Sequence, residues 1–206
     1  MSELTRSHRR DGPDAPSDAD LVQRALAGSE RAFHDLVVRY ERPIFSLIVR
    51  MVHDSNTAED LAQEVFWKAY RRLDTFDIER RFASWLFKIA HNTTLDHLRK
   101  SGLDTVPLEG SGDDEPGLVG ILADDSREGG EARVHRGDLA RVLETALANL
   151  KPEHRESLLL RFKQGMAYQE ICEVMGLPLG TVKTNIHRAR KALAEALTRA
   201  GFRAPE

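Results

Sequence analysis

The sequence predicts an all-α protein: two small helical domains, the second ending in a helix-turn-helix, joined by a flexible acidic linker. Three observations predict it. Apolar residues recur at helical spacing through 18–100 and again through 137–200, each time leaving one face to bury. Between these stretches, 101–136 loses that period and gathers Gly, Pro and Asp. Within the second stretch, 166–193 reads as two short helices separated by a tight turn.

Taken in order, 1–17 mixes Arg, Asp, Gly, Pro and Ser with almost nothing to bury, and a disordered tail is expected. Ser17 with Asp20 makes a capping pattern, and Leu21, Val22, Ala25 and Leu26 form a short amphipathic helix closed by Gly28. Ser29 caps a longer helix through Phe33, Leu36, Val37, Tyr40, Ile44 and Leu47 to about Val52, which Pro43 should kink. A polar turn at 53–56 leads to a helix over 57–73, with Leu61, Val65, Phe66, Ala69 and Leu73 inward. On its other side Asp60, Gln63, Glu64 and Trp67 fall at i, i+3, i+4 and i+7 as one stripe. Two readings fit that stripe: an interface anchored by Trp67, or a solvated acidic face with Trp67 folded back onto the core. Asp60 and Glu64, like charges one turn apart, disfavour an isolated helix slightly.

A polar loop over 74–81 carries Phe76 and Ile78, and a long helix follows over 82–100. Phe82, Trp85, Leu86, Ile89 and Thr93 face in, while Lys88, Asn92, Asp96 and Arg99 line another face with His91 nearby. A cationic, amide-bearing face beside such a loop suits unpaired bases, held by stacking and edge hydrogen bonds. Trp85 is read as core; Phe76 fits either role. His91, Asp96 and His97 share no helical face, so no metal site is expected.

The linker holds Asp104, Glu109, Asp113, Asp114, Glu115, Asp124, Asp125, Glu128 and Glu131 against Arg127, Arg133 and Arg136. Its Gly110-Ser111-Gly112 follows no strand and precedes three acids, which excludes a phosphate loop. Helices over 139–150 and 152–163 should pack under the helix-turn-helix, with Leu143, Leu147, Leu158, Leu159 and Phe162 as core. In the first helix of the pair, 168–175, Ile171, Val174 and Met175 are buried. Gly176 fits the left-handed closing position, and Pro178 marks where the next helix begins. That second helix buries Val182, Ile186, Ala189 and Leu193 and presents Lys183, Thr184, His187, Arg188 and Lys191. Donors and positive charge on the outer face are what a major-groove reader needs. A hairpin with a merely solvated basic face is the alternative, and the agreement of turn chemistry with helix polarity favours DNA.

At 206 residues, 41% hydrophobic and 31% charged, the composition is that of a helix-rich globular protein. No run could span a bilayer and the polar N-terminus has no signal-peptide core, so a cytoplasmic location without membrane insertion is expected. The single cysteine, Cys172, excludes an internal disulfide, fits a reducing compartment and is read as packing. A net charge of −3 is unusual for a DNA binder, whose affinity comes largely from neutralising phosphates. The linker explains it, because it parks the acids away from the basic helix.

DLAQEVFWKAY (60–70), FASWLFKIAHNTTLDHLR (82–99) and LPLGTVKTNIHRARKAL (177–193), in this order, resemble bacterial sigma factors of the extracytoplasmic-function (ECF) class of the sigma-70 family. The resemblance covers about 18–100, implied to be sigma region 2, and 138–199, within the 137–200 implied to be region 4. It implies that Asp60, Gln63, Glu64 and Trp67 dock on the β′ clamp of core RNA polymerase, a basic partner that would offset the Asp60–Glu64 repulsion. It implies a minus-ten surface of Phe76, Asp77, Lys88, Asn92, Asp96 and Arg99 that captures a flipped non-template base. Thr181, Lys183, Thr184, His187, Arg188 and Lys191 would read the minus-thirty-five element, with Arg190 on phosphate; region 4 would also meet the β flap. The linker would thread the polymerase RNA path. An anti-sigma factor, from which a stress signal releases the chain, is the implied regulator. Asn185 and His187 stand where many relatives carry Arg and an aromatic, which leaves the promoter sequence unspecified. No catalytic residue, metal or cofactor is implied: binding energy drives strand opening, helped by easily unstacked pyrimidine–purine steps.

Two other classes fit the sequence less well. A free-standing repressor or activator would need a self-complementary interface and a palindromic site, and the sequence shows no dimerisation heptad. An enzyme would need a nucleophile–base pair, metal-ligand spacing or a phosphate loop, and none is present.

Overall fold

The computed structural model describes residues 16–101 and 130–202, with side chains described from 137 onward in the second stretch. Residues 1–15 of the expected N-terminal tail and most of the linker lie outside the described residues. Among those described there is no strand. The helices are α1 (Asp18–Leu26), α2 (Glu30–Val52), α3 (Ser55–Arg71), α4 (Phe82–Lys100), α5 (Gly130–Ala148), α6 (Pro152–Phe162), α7 (Tyr168–Met175) and α8 (Leu179–Arg199), with a 3-10 turn at Leu73–Thr75.

Local chemistry sets most boundaries. Ser17 Oγ accepts the Asp20 N–H and the Asp20 carboxylate accepts the Ser17 N–H, each at 3.2 Å, a reciprocal cap worth about 1 kcal/mol. Ser29 Oγ caps α2 through the Ala32 N–H at 3.3 Å. Asp54 accepts the Thr57 N–H at 2.6 Å, so α3 begins at Ser55, inside the stretch expected to be a turn. His53 closes α2 with φ of +60°, a left-handed position that His tolerates better than most non-glycine residues. Through Pro43, α2 stays helical, because Leu36 before it and Ile44, Leu47 and Ile48 after it are all buried on the same body. Similarly, α5 starts at Gly130, within the stretch read as linker: the helix formers of EARVHR outweigh the helix-breaking tendency of Gly130.

The two halves do not stand apart. Leu21, Leu36, Ile48, Val65, Leu86 and Phe87 from the N-terminal helices share one contiguous core with Leu160, Ile171, Val174, Val182 and Ile186. A smaller cluster of Leu147, Leu150, Leu158 and Ala189 ties α5, α6 and α8 together. Across the junction α7 lies on α4, and α2 meets both α5 and α6. One expected core residue is corrected: Phe162 is 60% exposed. Leu159 and Leu160 take the inward positions of the last turn of α6, and Phe162 lies about 200° round the helix from Leu160.

Candidate nucleic-acid interface

The C-terminal surface is built by the turn at Gly176. Its φ of +66° lets the Gly176 and Leu177 N–H groups both reach the Cys172 carbonyl, at 2.8 and 3.2 Å, and this ends α7. Pro178 then caps α8, its carbonyl accepting the Val182 N–H at 3.1 Å. Val182, Ile186 and Ala189 anchor α8 to the core, and the residues between them are left outside. Thr181, Lys183, Thr184, His187, Arg188, Arg190 and Lys191 are all exposed, on one continuous polar face. Thr184 donates its hydroxyl proton back to the Gly180 carbonyl at 2.8 Å, so its oxygen lone pairs point outward as acceptors. The Arg190 guanidinium stands 6.0 Å from the Phe162 ring. Asn185 is buried and donates to Ser157 Oγ at 3.4 Å, which makes it a support of the helix rather than part of its outer face.

On α4, Lys88, Asn92, Asp96 and Arg99 are exposed at one-turn intervals, with Asp96 and Arg99 4.0 Å apart. Phe76 does not join them, which corrects the expectation of a base-stacking ring. It is 8% exposed, edge-on to Phe82 at 5.6 Å and 5.3 Å from Trp85. Trp85, read as core, is indeed packed in this aromatic cluster. A loop has no periodicity to reveal which way its one aromatic turns, so only the packing could decide Phe76. Asp77 is exposed at the loop tip, accepting the Glu79 N–H at 3.1 Å and facing Arg80 at 3.5 Å.

The α3 stripe stays open to solvent throughout: Asp60, Gln63, Glu64 and Trp67 are all exposed. Trp67 is 57% exposed with the Arg71 guanidinium 4.7 Å over its ring, so it is not folded back onto the core. Exposed Tyr70, edge-on to Phe33 at 5.0 Å, stands one turn further along. Lys68 pairs with Glu64 at 2.7 Å and donates to Thr93 Oγ1 at 3.0 Å, which offsets part of the Asp60–Glu64 repulsion inside the chain.

Sequence reading missed the polar groups that join the halves. Arg155 is 4% exposed and forks between two helix ends. It donates to the Arg50 and Met51 carbonyls at the end of α2 (3.0 and 3.3 Å) and to Leu147, Ala148 and Leu150 at the end of α5 (2.8, 2.6 and 2.9 Å). Those carbonyls lie in or just past the last turns of their helices, where acceptors are left over (Leu147 also accepts the Leu150 N–H at 3.1 Å), and both helix dipoles turn their negative ends toward the guanidinium. Burial pulls the Arg155 pKa down to about 10, so it remains a cation at neutral pH. Its Nη1 also lies 2.7 Å from His53 Nε2; desolvation, with the Arg155 charge second, lowers the His53 pKa to about 4. Buried Arg50 pairs with Glu144 at 2.9 Å, and buried His91 Nδ1 meets Glu156 Oε1 at 2.7 Å. Charged letters inside apolar stretches (LIVRMV, HRESLLL) were the available signal. At the far end, the Tyr40 hydroxyl donates to Asp18, and burial, then the Asp18 charge, raises its pKa.

An exposed basic face on α8, a polar face on α4 beside an aromatic-backed loop and an acidic stripe on α3, on one all-helical body, are the surfaces expected of a DNA-binding protein that works on a larger machine. The sequence matches Sigma-70 region 2 over 36–103 and Sigma-70, region 4 over 140–193. It is 38% identical to the RNA polymerase sigma-H factor of Pseudomonas aeruginosa, over 87% of this chain and 93% of that protein. Against the ECF RNA polymerase sigma factor SigW of Bacillus subtilis it is 34% identical, over 85% and 94%. Among solved structures, CnrH in complex with the cytosolic domain of CnrY superposes with a TM-score of 0.62 at 26% identity, covering 88% of this chain and 97% of that one. The sigma factor RpoE of Bartonella quintana, solved with the anti-sigma factor NepR, shares the fold at 0.59 and 24% identity, covering 81% and 96%. The chain belongs to the ECF class of the sigma-70 family. It is an alternative sigma factor, which directs core RNA polymerase to specific promoters and starts transcription there; the free-standing repressor reading is not favoured. Among the described residues no helix is long and apolar enough to cross a membrane, and no group of His, Cys, Asp and Glu could hold a metal ion.

Proposed function

We propose a division of labour among the three surfaces. The α3 stripe of Asp60, Gln63, Glu64 and Trp67 docks on the basic β′ clamp of the polymerase. On α4, Lys88, Asn92, Asp96 and Arg99, with Asp77 at the loop tip, receive the minus-ten strand, and Phe76 holds the loop's shape from beneath. The outer face of α8 (Thr181, Lys183, Thr184, His187, Arg188 and Lys191) reads the minus-thirty-five element, Arg190 sits on phosphate, and the C-terminal domain also meets the β flap. Residues 18–100 and, with α5 included, 130–200 are the two working domains, and the chain between them is the tether along the RNA path. The chain acts in the cytoplasm, catalyses no reaction itself, and is held by an anti-sigma factor until a stress signal releases it.

One observation carries this reading: the polar stripes of α3 and α8 are open to solvent, while Leu61, Val65 and Ala69 of α3 and Val182, Ile186 and Ala189 of α8 are buried behind them. Such faces stay hydrated until a charged partner arrives, and steer that partner in. The test is Asn92→Ala in the polymerase holoenzyme on a promoter selected from a random library. Permanganate reactivity of start-site thymines should fall several-fold while duplex binding holds; unchanged reactivity would refute the role of α4.

A further inference from the structure

Arg188 and Arg190 stand two residues apart on α8, which at about 100° per residue puts them on opposite edges of its exposed face. The helix behind, α6, reaches both edges. At one edge the Arg190 guanidinium lies 6.0 Å from the ring of Phe162, the last residue of α6. In the middle, Leu158 shares a cluster with Ala189, and Ser157 Oγ accepts the Asn185 amide at 3.4 Å. His154 comes one turn before Ser157 and Arg188 one turn after Asn185, so the start of α6 arrives at the other edge. The His154 N–H donates to the Lys151 carbonyl at 3.0 Å, which holds Lys151 within a turn of His154.

Lys151, His154 and Arg188 therefore gather at that edge. Lys151 and Arg188 are exposed and His154 is half-buried. Among the described residues the Lys151 and Arg188 side chains make no ion pair or hydrogen bond, whereas Arg50, Lys68, Arg81 and Arg155 are all engaged. Burial lowers the His154 pKa below the ordinary 6.5; Glu153 opposes this, and the Arg188 and Lys151 charges lower it further. Those three are the charged groups that face the ring, and the free ring is neutral at pH 7. From His154 to Phe162 the α6 backbone rises about 12 Å, and a B-DNA major groove is about 12 Å wide. With α8 lying in that groove, α6 spans from lip to lip behind it, and a phosphate backbone runs along each lip.

We propose that Lys151 and His154 form a phosphate site on the flank of α8 opposite Arg190, where they hold the backbone of the second DNA strand. The proposal rests on the reading of α8 as the minus-thirty-five helix. Lys151 supplies charge at every pH. His154 joins it on taking a proton: a phosphate set among Lys151, Arg188 and the ring offsets their repulsion and favours the imidazolium. Promoter binding then takes up a proton and strengthens as the pH falls.

The test uses reconstituted holoenzyme and a fluorescein-labelled duplex carrying an upstream element selected from a random library. Its affinity is measured from about 50 to 200 mM KCl. Lys151→Gln should flatten the slope of log affinity against log salt by about 0.9, as one lost phosphate contact does, so that its deficit shrinks about 3.5-fold across that range. Its ranking of upstream-element variants should match that of the unsubstituted protein. An unchanged slope, or a changed ranking, overturns the phosphate site. At fixed salt the unsubstituted holoenzyme should bind several-fold tighter at pH 6 than at pH 8, and His154→Gln should remove most of that gain. A gain missing from the unsubstituted protein, or kept in the variant, overturns the proton uptake. Failure of the α8 reading is told apart by Lys183→Ala: equal use of every upstream-element variant with and without it means that α8 does not read the element, whatever the salt slope of Lys151→Gln.

Discussion

Arg155→Met removes a buried cation while keeping the length of the side chain. The guanidinium serves five carbonyls and one imidazole nitrogen, at 2.6 to 3.3 Å. Crediting each charge-assisted bond with about 1.5–3 kcal/mol would exceed 9 kcal/mol, comparable to the roughly 5–15 kcal/mol that stabilises a whole domain. The full sum cannot be the net effect, because desolvating the guanidinium opposes it. What the variant loses is set by the carbonyls it strands at two helix ends, and breaking a buried charged network of this kind costs about 3–5 kcal/mol. Arg155→Lys should lose less than that but more than 1 kcal/mol: an ammonium is a point of charge and cannot fork between α2 and α5, roughly half the task. Urea denaturation at pH 7, followed by circular dichroism, measures both. A loss below about 1 kcal/mol for Arg155→Met would refute the claim that this side chain ties the halves together.

Two further outcomes follow from the geometry. His53 has its pKa lowered to about 4 from an ordinary 6.5, so between those values the unfolded chain binds a proton that the folded chain refuses. Stability should be whole above pH 6.5 and fall by about 1 kcal/mol as the pH drops toward 4, a figure reduced for the ring's partial exposure. Thermal melts across this range should show a shallower slope for His53→Asn, which keeps the left-handed backbone; an identical slope would contradict the assignment. On α8, Lys183→Ala or Arg188→Ala should cost about 1–3 kcal/mol at the upstream element if each makes a good base contact. Holoenzyme run-off on a panel of upstream-element variants checks this, and equal use of the whole panel by wild type and variants would count against it.

The closed junction changes how the acidic composition is understood. The linker holds many of the acids that a DNA-binding chain must keep from its reading surfaces. Glu144, Glu156, Glu170 and Glu173 are further acids, on the C-terminal helices, and each meets a basic group of the N-terminal half. A net charge of −3 therefore also reflects charge placed at the junction itself.

What the sequence by itself determined are the features written in local patterns. Helix identity, the Ser17 and Ser29 caps, the left-handed Gly176, and the outward stripes of α3 and α8 depend on residues within a turn or two of each other, so period and capping chemistry suffice to find them. Tertiary structure alone decided the rest. Phe76 turned inward because Phe82 and Trp85 offered it a packed edge, and Phe162 turned outward because Leu159 and Leu160 had already filled the core. Arg155 found its partners about a hundred residues away at the end of α2 as well as on the neighbouring α5. Such partners are brought together by the packing of helix ends, a relation that no spacing along the chain encodes.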